Sequence, residues 1–140
     1  MRLIIIALVY FLSIAVSANE IKYQDYTVYY SVFNSDFVEP KVARQHNLRR
    51  SKNLALVNIT VVDNQTGKAV TANVSGNAYN LVGQARELAF KEIKEDTSVY
   101  YIANFRFSDK ENFNFKLRAR PDGQEKSLPI EFKQSVYISQ

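Results

Sequence analysis

Apolar and polar side chains alternate with a period of two along most of the chain. The alternation is clearest over residues 113–120, where every odd position is apolar and every even position is Asn, Lys or Arg. Successive side chains of a β-strand point to opposite faces, whereas an α-helix repeats every 3.6 residues. This segment is therefore predicted to be a strand with one buried and one solvent-facing side.

The same alternation predicts further strands at residues 26–32, 53–63, 69–78, 98–107 and 128–137. A weaker candidate, residues 86–95, loses its apolar parity between Phe90 and Ile93, which predicts a bulge or an early end. Gly67 and the run Pro121-Asp122-Gly123 mark turns between strands. About seven short strands with such spacing predict an all-β fold, an antiparallel β-sandwich of immunoglobulin-like architecture.

One stretch departs from the alternation and has helical spacing. Val42, Ala43 and His46 lie on one side of a helix that would begin at Pro40, a favoured first helical residue. Asn47 can take the left-handed conformation that ends a helix. We therefore expect one short helix between the first two strands.

The first 18 residues have the layout of a secretory signal peptide. Arg2 gives a positive start, residues 3–14 are almost wholly apolar, and Val16-Ser17-Ala18 presents small residues at the cleavage site. Cleavage after Ala18 would release a single domain, residues 19–140, into the periplasm and leave it outside the membrane. The alternatives are an uncleaved anchor and a buried N-terminal helix.

The composition excludes several kinds of site. The sequence has no cysteine, one histidine and four isolated glycines, which excludes disulfides, cysteine-ligated metals and a glycine-rich phosphate loop. A net charge of +4 is too mild to predict a nucleic-acid partner. We predict no cofactor, no metal site and no catalytic residue, and His46 is expected to pack against or cap its own helix.

Positive charge is concentrated between Pro40 and Val62, a stretch without an acidic residue. Such a field can hold a carboxylate, a phosphate or an acidic partner. The alternative is that these charges pair with Asp36, Glu39 or the acidic residues of segment 92–96. The candidate binding residues are Arg49, Arg50, Ser51, Lys52 and Asn53, with Lys41 and Arg44 nearby on the helix.

A second basic feature lies on the polar side of the 113–120 strand. Lys116, Arg118 and Arg120 form a row there, and Arg106 and Lys133 would lie near it if the last three strands form a meander. Such rows usually serve solvation, and lysine or arginine also protects an edge strand from pairing.

Several short blocks of the sequence carry a resemblance to a known family. The blocks are Asn34-Ser35, Phe37, Pro40, Val42-Ala43, Arg50-Ser51-Lys52-Asn53, Ala55-Leu56, Asn58-Ile59, Val74-Ser75-Gly76, Asn80-Leu81, Gly83-Gln84, Tyr100-Tyr101-Ile102-Ala103, Phe132 and Gln134. On these blocks the chain resembles an uncharacterised family of small exported proteins from Gram-negative bacteria, defined as a domain of unknown function. The resemblance implies a periplasmic β-sandwich without an assigned activity, and it supplies no catalytic residue.

Three hypotheses for function follow. The preferred one is an exported, non-enzymatic binding or accessory module whose partner is an anionic ligand or another envelope protein. The second is a small hydrolase that uses acidic residues. The third is a structural subunit that pairs through a sheet edge.

Overall fold

The structure, a computed structural model, describes residues 19–138, and these form two antiparallel β-sheets packed face to face. The predicted signal peptide and its cleavage site lie outside the described residues. A 3-10 helix (Ser35–Phe37) and a short helix α1 (Pro40–Gln45) connect the second and third strands. The strands of the described chain are β1 (Asn19–Lys22), β2 (Tyr26–Asn34), β3 (Leu54–Asp63), β4 (Ala72–Tyr79), β5 (Ala85–Glu87), β6 (Lys91–Glu95), β7 (Ser98–Arg106), β8 (Glu111–Pro121) and β9 (Leu128–Val136).

The strand order is β1-β2-β3-β7-β6 in the first sheet, called sheet A, and β5-β4-β8-β9 in the second, called sheet B. This arrangement confirms the predicted all-β sandwich with one short helix. Strand β1 was not predicted, and it has four residues. A segment this short cannot display a period-two pattern.

The core lies between the sheets and is filled by the inward side chains of each strand. Phe113 and Phe115 on β8 are almost completely buried, and the ring of Phe105 on β7 meets both edge-on, with centroids 5.0 and 5.5 Å away. Tyr30 on β2 stacks on Phe132 of β9 at 4.0 Å. Aromatic burial of this kind joins the two sheets.

The segment 86–95 does not form the single strand that the sequence predicted. Its first part, β5, belongs to sheet B, and its second part, β6, belongs to sheet A. Between them Leu88 is buried in the core, and its N–H donates to the carbonyl of Gly76 at 3.1 Å. The loss of parity therefore marks the place where the chain passes from one sheet to the other.

The last three strands do not form a meander, which was the condition for Arg106 and Lys133 to lie near the basic row. The chain crosses between the sheets after Arg106, so that β7 lies in sheet A and β8 in sheet B. Arg106 is consequently separated from the basic row, whereas Lys133 on β9 lies opposite Asn114, beside the row.

Helix α1 lies on the outer face of sheet A and covers a second, smaller apolar cluster. Ala43 of the helix and Val38 before it pack against Leu56, an outward-facing residue of β3 that is only 1% exposed. This cluster holds the segment that precedes β3, where the candidate binding residues lie. Within residues 19–138, no helix is both long and apolar enough to cross a membrane.

Candidate functional site

The C-terminus of α1 turns the chain back along the helix. Asn47 adopts the left-handed conformation, with φ of 53°, as the sequence predicted. The N–H of Leu48 donates to the carbonyl of Ala43 at 2.8 Å, and that of Asn47 donates to the carbonyl of Arg44 at 3.4 Å. These two bonds form a Schellman motif, and Leu48 packs into the cluster under the helix. Arg49 follows directly on the solvent side.

This reversal creates an open cleft of about 490 Å³ between α1 and the segment after it. Three of its lining residues are arginines, and no carboxylate lines it. We call it the arginine cleft, and its lining residues are Pro40, Ala43, Arg44, Asn47, Leu48, Arg49 and Arg50. The site is positive and has an apolar floor.

The three arginines are held to different degrees. Arg50 donates from Nε to the carbonyl of Val38 at 2.7 Å and from Nη2 to the carbonyl of Asp36 at 2.9 Å. Arg44 and Arg49 are exposed, and neither is within ion-pair distance of a carboxylate among residues 19–138. The Arg50 side chain is thus held in place by two hydrogen bonds, and the guanidinium groups of Arg44 and Arg49 remain accessible for binding.

The rest of the predicted block lies outside the arginine cleft. Ser51 exchanges two hydrogen bonds with the hydroxyl of buried Ser35, since its N–H donates at 2.8 Å and its carbonyl accepts at 2.9 Å. The Ser51 hydroxyl donates to the side-chain oxygen of Asn53 at 2.6 Å. Lys52 is exposed and lines no part of the cleft. Of the five predicted residues, the structure places Arg49 and Arg50 in the cleft.

His46 is the C-cap residue of α1, and it joins the helix to the edge strand β6. Its Nε2 lies 2.8 Å from a carboxylate oxygen of Glu95, and Lys91 donates to its carbonyl at 2.6 Å. The ring therefore joins α1 to sheet A through Glu95, whereas the sequence predicted that it packs against or caps its own helix.

Arg44 was absent from the predicted set of site residues, although its charge was noted. Pro40 and Asn47 predict where α1 begins and ends, but they do not predict the direction in which the chain turns after it. The chain returns on the side of Arg44, and Leu48 packs into the cluster under the helix.

A second open cleft, of about 610 Å³, lies at the opposite end of β3. Three aspartates and two lysines line it, and the Thr71 hydroxyl donates to the carboxylate of Asp122. We call it the aspartate cleft. Its charged lining residues are Asp63, Lys68, Lys94, Asp96 and Asp122.

A buried tyrosine lies between the sheets near the aspartate cleft. The Tyr101 hydroxyl accepts the N–H of Ala72 at 2.7 Å and donates to Glu92 at 2.8 Å. Burial is the main reason that the pKa of Tyr101 is raised to about 12. The bond from Ala72 lowers this pKa, and the nearby Glu92 carboxylate adds to its rise. Both of its polar contacts are internal, so that Tyr101 connects the sheets.

Comparison with solved structures places this fold among known proteins. A crystal structure of a DUF4426 family protein from Pseudomonas aeruginosa PAO1 superposes with a TM-score of 0.79 at 30% sequence identity, covering 88% of this chain and 97% of that one. FetP from uropathogenic Escherichia coli strain F11, isolated after expression in the periplasm, gives a TM-score of 0.63 at 11% identity and covers 89% and 96%. A copper-bound variant of FetP has the same TM-score and identity, covering 88% and 92%.

At 11% identity the likeness to FetP establishes a shared fold. No curated protein matches the chain. The model of the family described as a domain of unknown function, DUF4426, matches residues 20–139, in agreement with the resemblance seen in the sequence blocks. The chain belongs to the DUF4426 family.

Proposed function

We propose that the protein is an exported, non-enzymatic accessory module that binds an anionic group, a carboxylate or a phosphate, in the arginine cleft. The observation that carries this proposal is the set of Arg44, Arg49 and Arg50 around one concavity without a lining carboxylate. Guanidinium groups recognise both anions through paired N–H donors.

Charge repulsion and preorganisation in the arginine cleft also favour the binding of an anion. Like charges that share a small concavity repel each other, and a bound anion relieves that repulsion. The two backbone carbonyls that hold Arg50 fix its position before a ligand arrives, which lowers the entropy lost on binding. Leu48 and Ala43 provide an apolar floor for the part of the ligand that carries no charge.

Periplasmic location is part of the proposal. It is supported by the signal-peptide layout of residues 1–18. FetP, a protein of the same fold, was produced in the periplasm.

Copper binding, as in the copper-bound FetP variant, does not fit the side chains of this chain. His46 is the only histidine of the sequence, and its ring is bonded to Glu95. Among residues 19–138, no three His, Cys, Asp or Glu side chains are grouped closely enough to hold a metal ion. Imidazole and sulfur are the donors that favour copper in proteins, and Cu(II) sites with oxygen ligands also use nitrogen donors. No metal is therefore included in the proposed mechanism.

The hydrolase hypothesis has its best location in the aspartate cleft, because a water could be activated there by one of three carboxylates. Under the binding proposal, Asp122→Asn leaves every function of the protein intact. Hydrolysis of a test ester or glycoside by the wild-type protein, lost in this variant, would favour the enzyme instead.

The edge-pairing hypothesis also has a definite location. Strand β9 has nine residues and lies at the edge of sheet B, but it carries Pro129 and Lys133, both of which discourage pairing. Sedimentation of the purified protein as a monomer is the outcome that agrees with a binding module.

Calorimetric titration with inorganic phosphate, pyrophosphate and citrate tests the binding proposal. The variant Arg44→Gln/Arg49→Gln should weaken binding of at least one probe by about tenfold or more, with an unchanged melting temperature. The control Lys22→Gln/Lys68→Gln removes the same charge at positions remote from the cleft and should bind like wild type. Equal affinity in all three proteins, or no binding by wild type, would refute the proposal.

A further inference from the structure

A row of unneutralised positive charge follows one strand on the outer face of sheet B. Lys116, Arg118 and Arg120, the basic row, occupy alternate positions of β8 and are exposed. None of the three is within ion-pair distance of a carboxylate among residues 19–138. Neighbouring members repeat every two residues, a spacing of about 6.8 Å along an antiparallel strand.

The usual explanation of such a row does not apply here. Lysine and arginine protect edge strands from pairing with other chains. Strand β8 is an interior strand, however, since it pairs with β4 on one side and with β9 on the other. The row therefore has no pairing edge to protect. Among residues 19–138, no carboxylate within ion-pair distance offsets the repulsion between its members.

Each cation lies opposite a neutral residue of β4 whose side chain can form hydrogen bonds. Asn73 lies opposite Arg120, Ser75 opposite Arg118, and Asn77 opposite Lys116. Directly opposed side chains of antiparallel strands have their Cβ atoms about 5 Å apart. The face consequently repeats one unit, a cation next to an amide or a hydroxyl, three times along the strands.

Carboxylates flank this strip without entering it. Glu131 on β9 lies opposite Lys116 on one side, and Glu87 on β5 lies opposite Asn77 on the other. An extended anion is thus attracted along β4 and β8 and repelled from both flanks. The charge pattern favours a linear ligand that runs parallel to the strands.

We propose that the outer face of β4 and β8 binds a linear acidic polysaccharide. Sugar carboxylates would meet the basic row, and neighbouring hydroxyls would meet Asn73, Ser75 and Asn77. A single-stranded nucleic acid fits less well, because such ligands stack their bases on open aromatic rings. The ring in this area, Tyr79, is already covered by Lys116, whose Nζ lies 5.7 Å from the ring centroid. This surface is separate from the arginine cleft, which lies on the outer face of the other sheet.

Binding to immobilised polygalacturonate tests this proposal, with neutral dextran and oligothymidylate as comparison ligands. Wild type should bind polygalacturonate, with an affinity that falls as salt rises, and should not bind dextran. The variant Lys116→Gln/Arg118→Gln/Arg120→Gln should lose about tenfold or more in affinity. The control Lys22→Gln/Lys68→Gln/Arg106→Gln has the same net charge and should retain wild-type binding.

Three results would overturn the proposal. Equal losses in the two triple variants would show a response to net charge alone. Tighter binding of oligothymidylate than of polygalacturonate would show a nucleic-acid surface. Absence of binding in wild type would show that the row has no polysaccharide ligand. Because the arginine cleft is unaltered in both variants, their phosphate titrations report separately on the proposed function.

Discussion

The hydroxyl of Tyr101 on β7 accepts the backbone N–H of Ala72, the first residue of β4, at 2.7 Å. These residues belong to different sheets, and both are buried. The bond therefore joins the two layers with a polar contact inside an otherwise apolar interface. Glu92 accepts the phenolic hydrogen, so that each polar atom in this group has a partner.

Replacement of this tyrosine should change how stability responds to alkaline pH. The pKa of Tyr101 is raised from 10.0 to about 12 in the folded protein. Above pH 10 the unfolded chain ionises first, so that the stabilisation is complete below pH 10 and is lost as pH rises towards 12. The loss is about 2–3 kcal/mol in the free energy of unfolding.

Urea unfolding of wild type and Tyr101→Phe between pH 7 and 12 measures this contribution. The variant should not show this loss in the free energy of unfolding between pH 10 and 12. At pH 7 it should be less stable than wild type by about 1–3 kcal/mol, because the N–H of Ala72 loses its acceptor. Tyr29→Phe, at a position 37% exposed, is the control. Parallel stability curves for wild type and Tyr101→Phe above pH 10 would contradict the assigned role.

Gly76 should not tolerate a side chain. A Cβ at this position would lie 2.4 Å from the carbonyl oxygen of Lys116, and φ is +144°, a value that side-chain-bearing residues rarely adopt. Gly76→Ala should therefore cost more than about 2 kcal/mol in thermal or urea unfolding. Gly67→Ala is the matched control, because φ is +70° but no atom lies within 4 Å. Equal losses in the two variants would mean that backbone conformation alone matters.

Ser35 should contribute more to stability than its small size suggests. It is fully buried, and its hydroxyl bonds both the N–H and the carbonyl of Ser51. Ser35→Ala removes the acceptor of the Ser51 N–H, whereas the Ser51 carbonyl keeps the N–H of Leu54 at 3.3 Å. The loss should cost about 1–3 kcal/mol. Ser51→Ala removes only an exposed hydroxyl contact and should stay within about 0.5 kcal/mol of wild type. The reverse order of stabilities would show that the segment before β3 is held in another way.

The left-handed residue at the end of α1 should control the arginine cleft. Asn47→Gly keeps this conformation without strain and should preserve both stability and anion binding. Asn47→Val, a β-branched residue at φ of 53°, should lose about 1–2 kcal/mol. It should also weaken phosphate binding, because Arg49 is no longer directed along the helix. Unchanged phosphate affinity in Asn47→Val would show that the turn does not control anion binding in the arginine cleft.

The alternation of apolar and polar residues predicted the strands that have one buried face, because burial in the core requires an apolar side chain at every second position. It could not assign strands to sheets, and the error over Arg106 arose there. A crossing between layers needs only a short polar loop, which looks the same as a hairpin in the sequence. The break between β5 and β6 is visible in the sequence as a loss of parity. The sequence does not show that the chain passes from one sheet to the other there.

The candidate site was predicted in part for a similar reason. Charge density identified the region of Arg49 and Arg50, since like charges without acids are visible in the sequence. The use of Arg50 to bond two backbone carbonyls left no pattern, because any residue provides a carbonyl. Arg44 lines the cleft because the chain turns back on its side of α1. The direction of this turn depends on the packing of Leu48.

An NMR titration of the labelled protein with inorganic phosphate tests the central claim, anion binding in the arginine cleft, most directly. Saturating shifts should concentrate on the amides of residues 43–50 and on the Nε–H signals of Arg44 and Arg49, and should disappear in Arg44→Gln/Arg49→Gln. Shifts that do not saturate, or that are spread evenly over the basic surface, would contradict it.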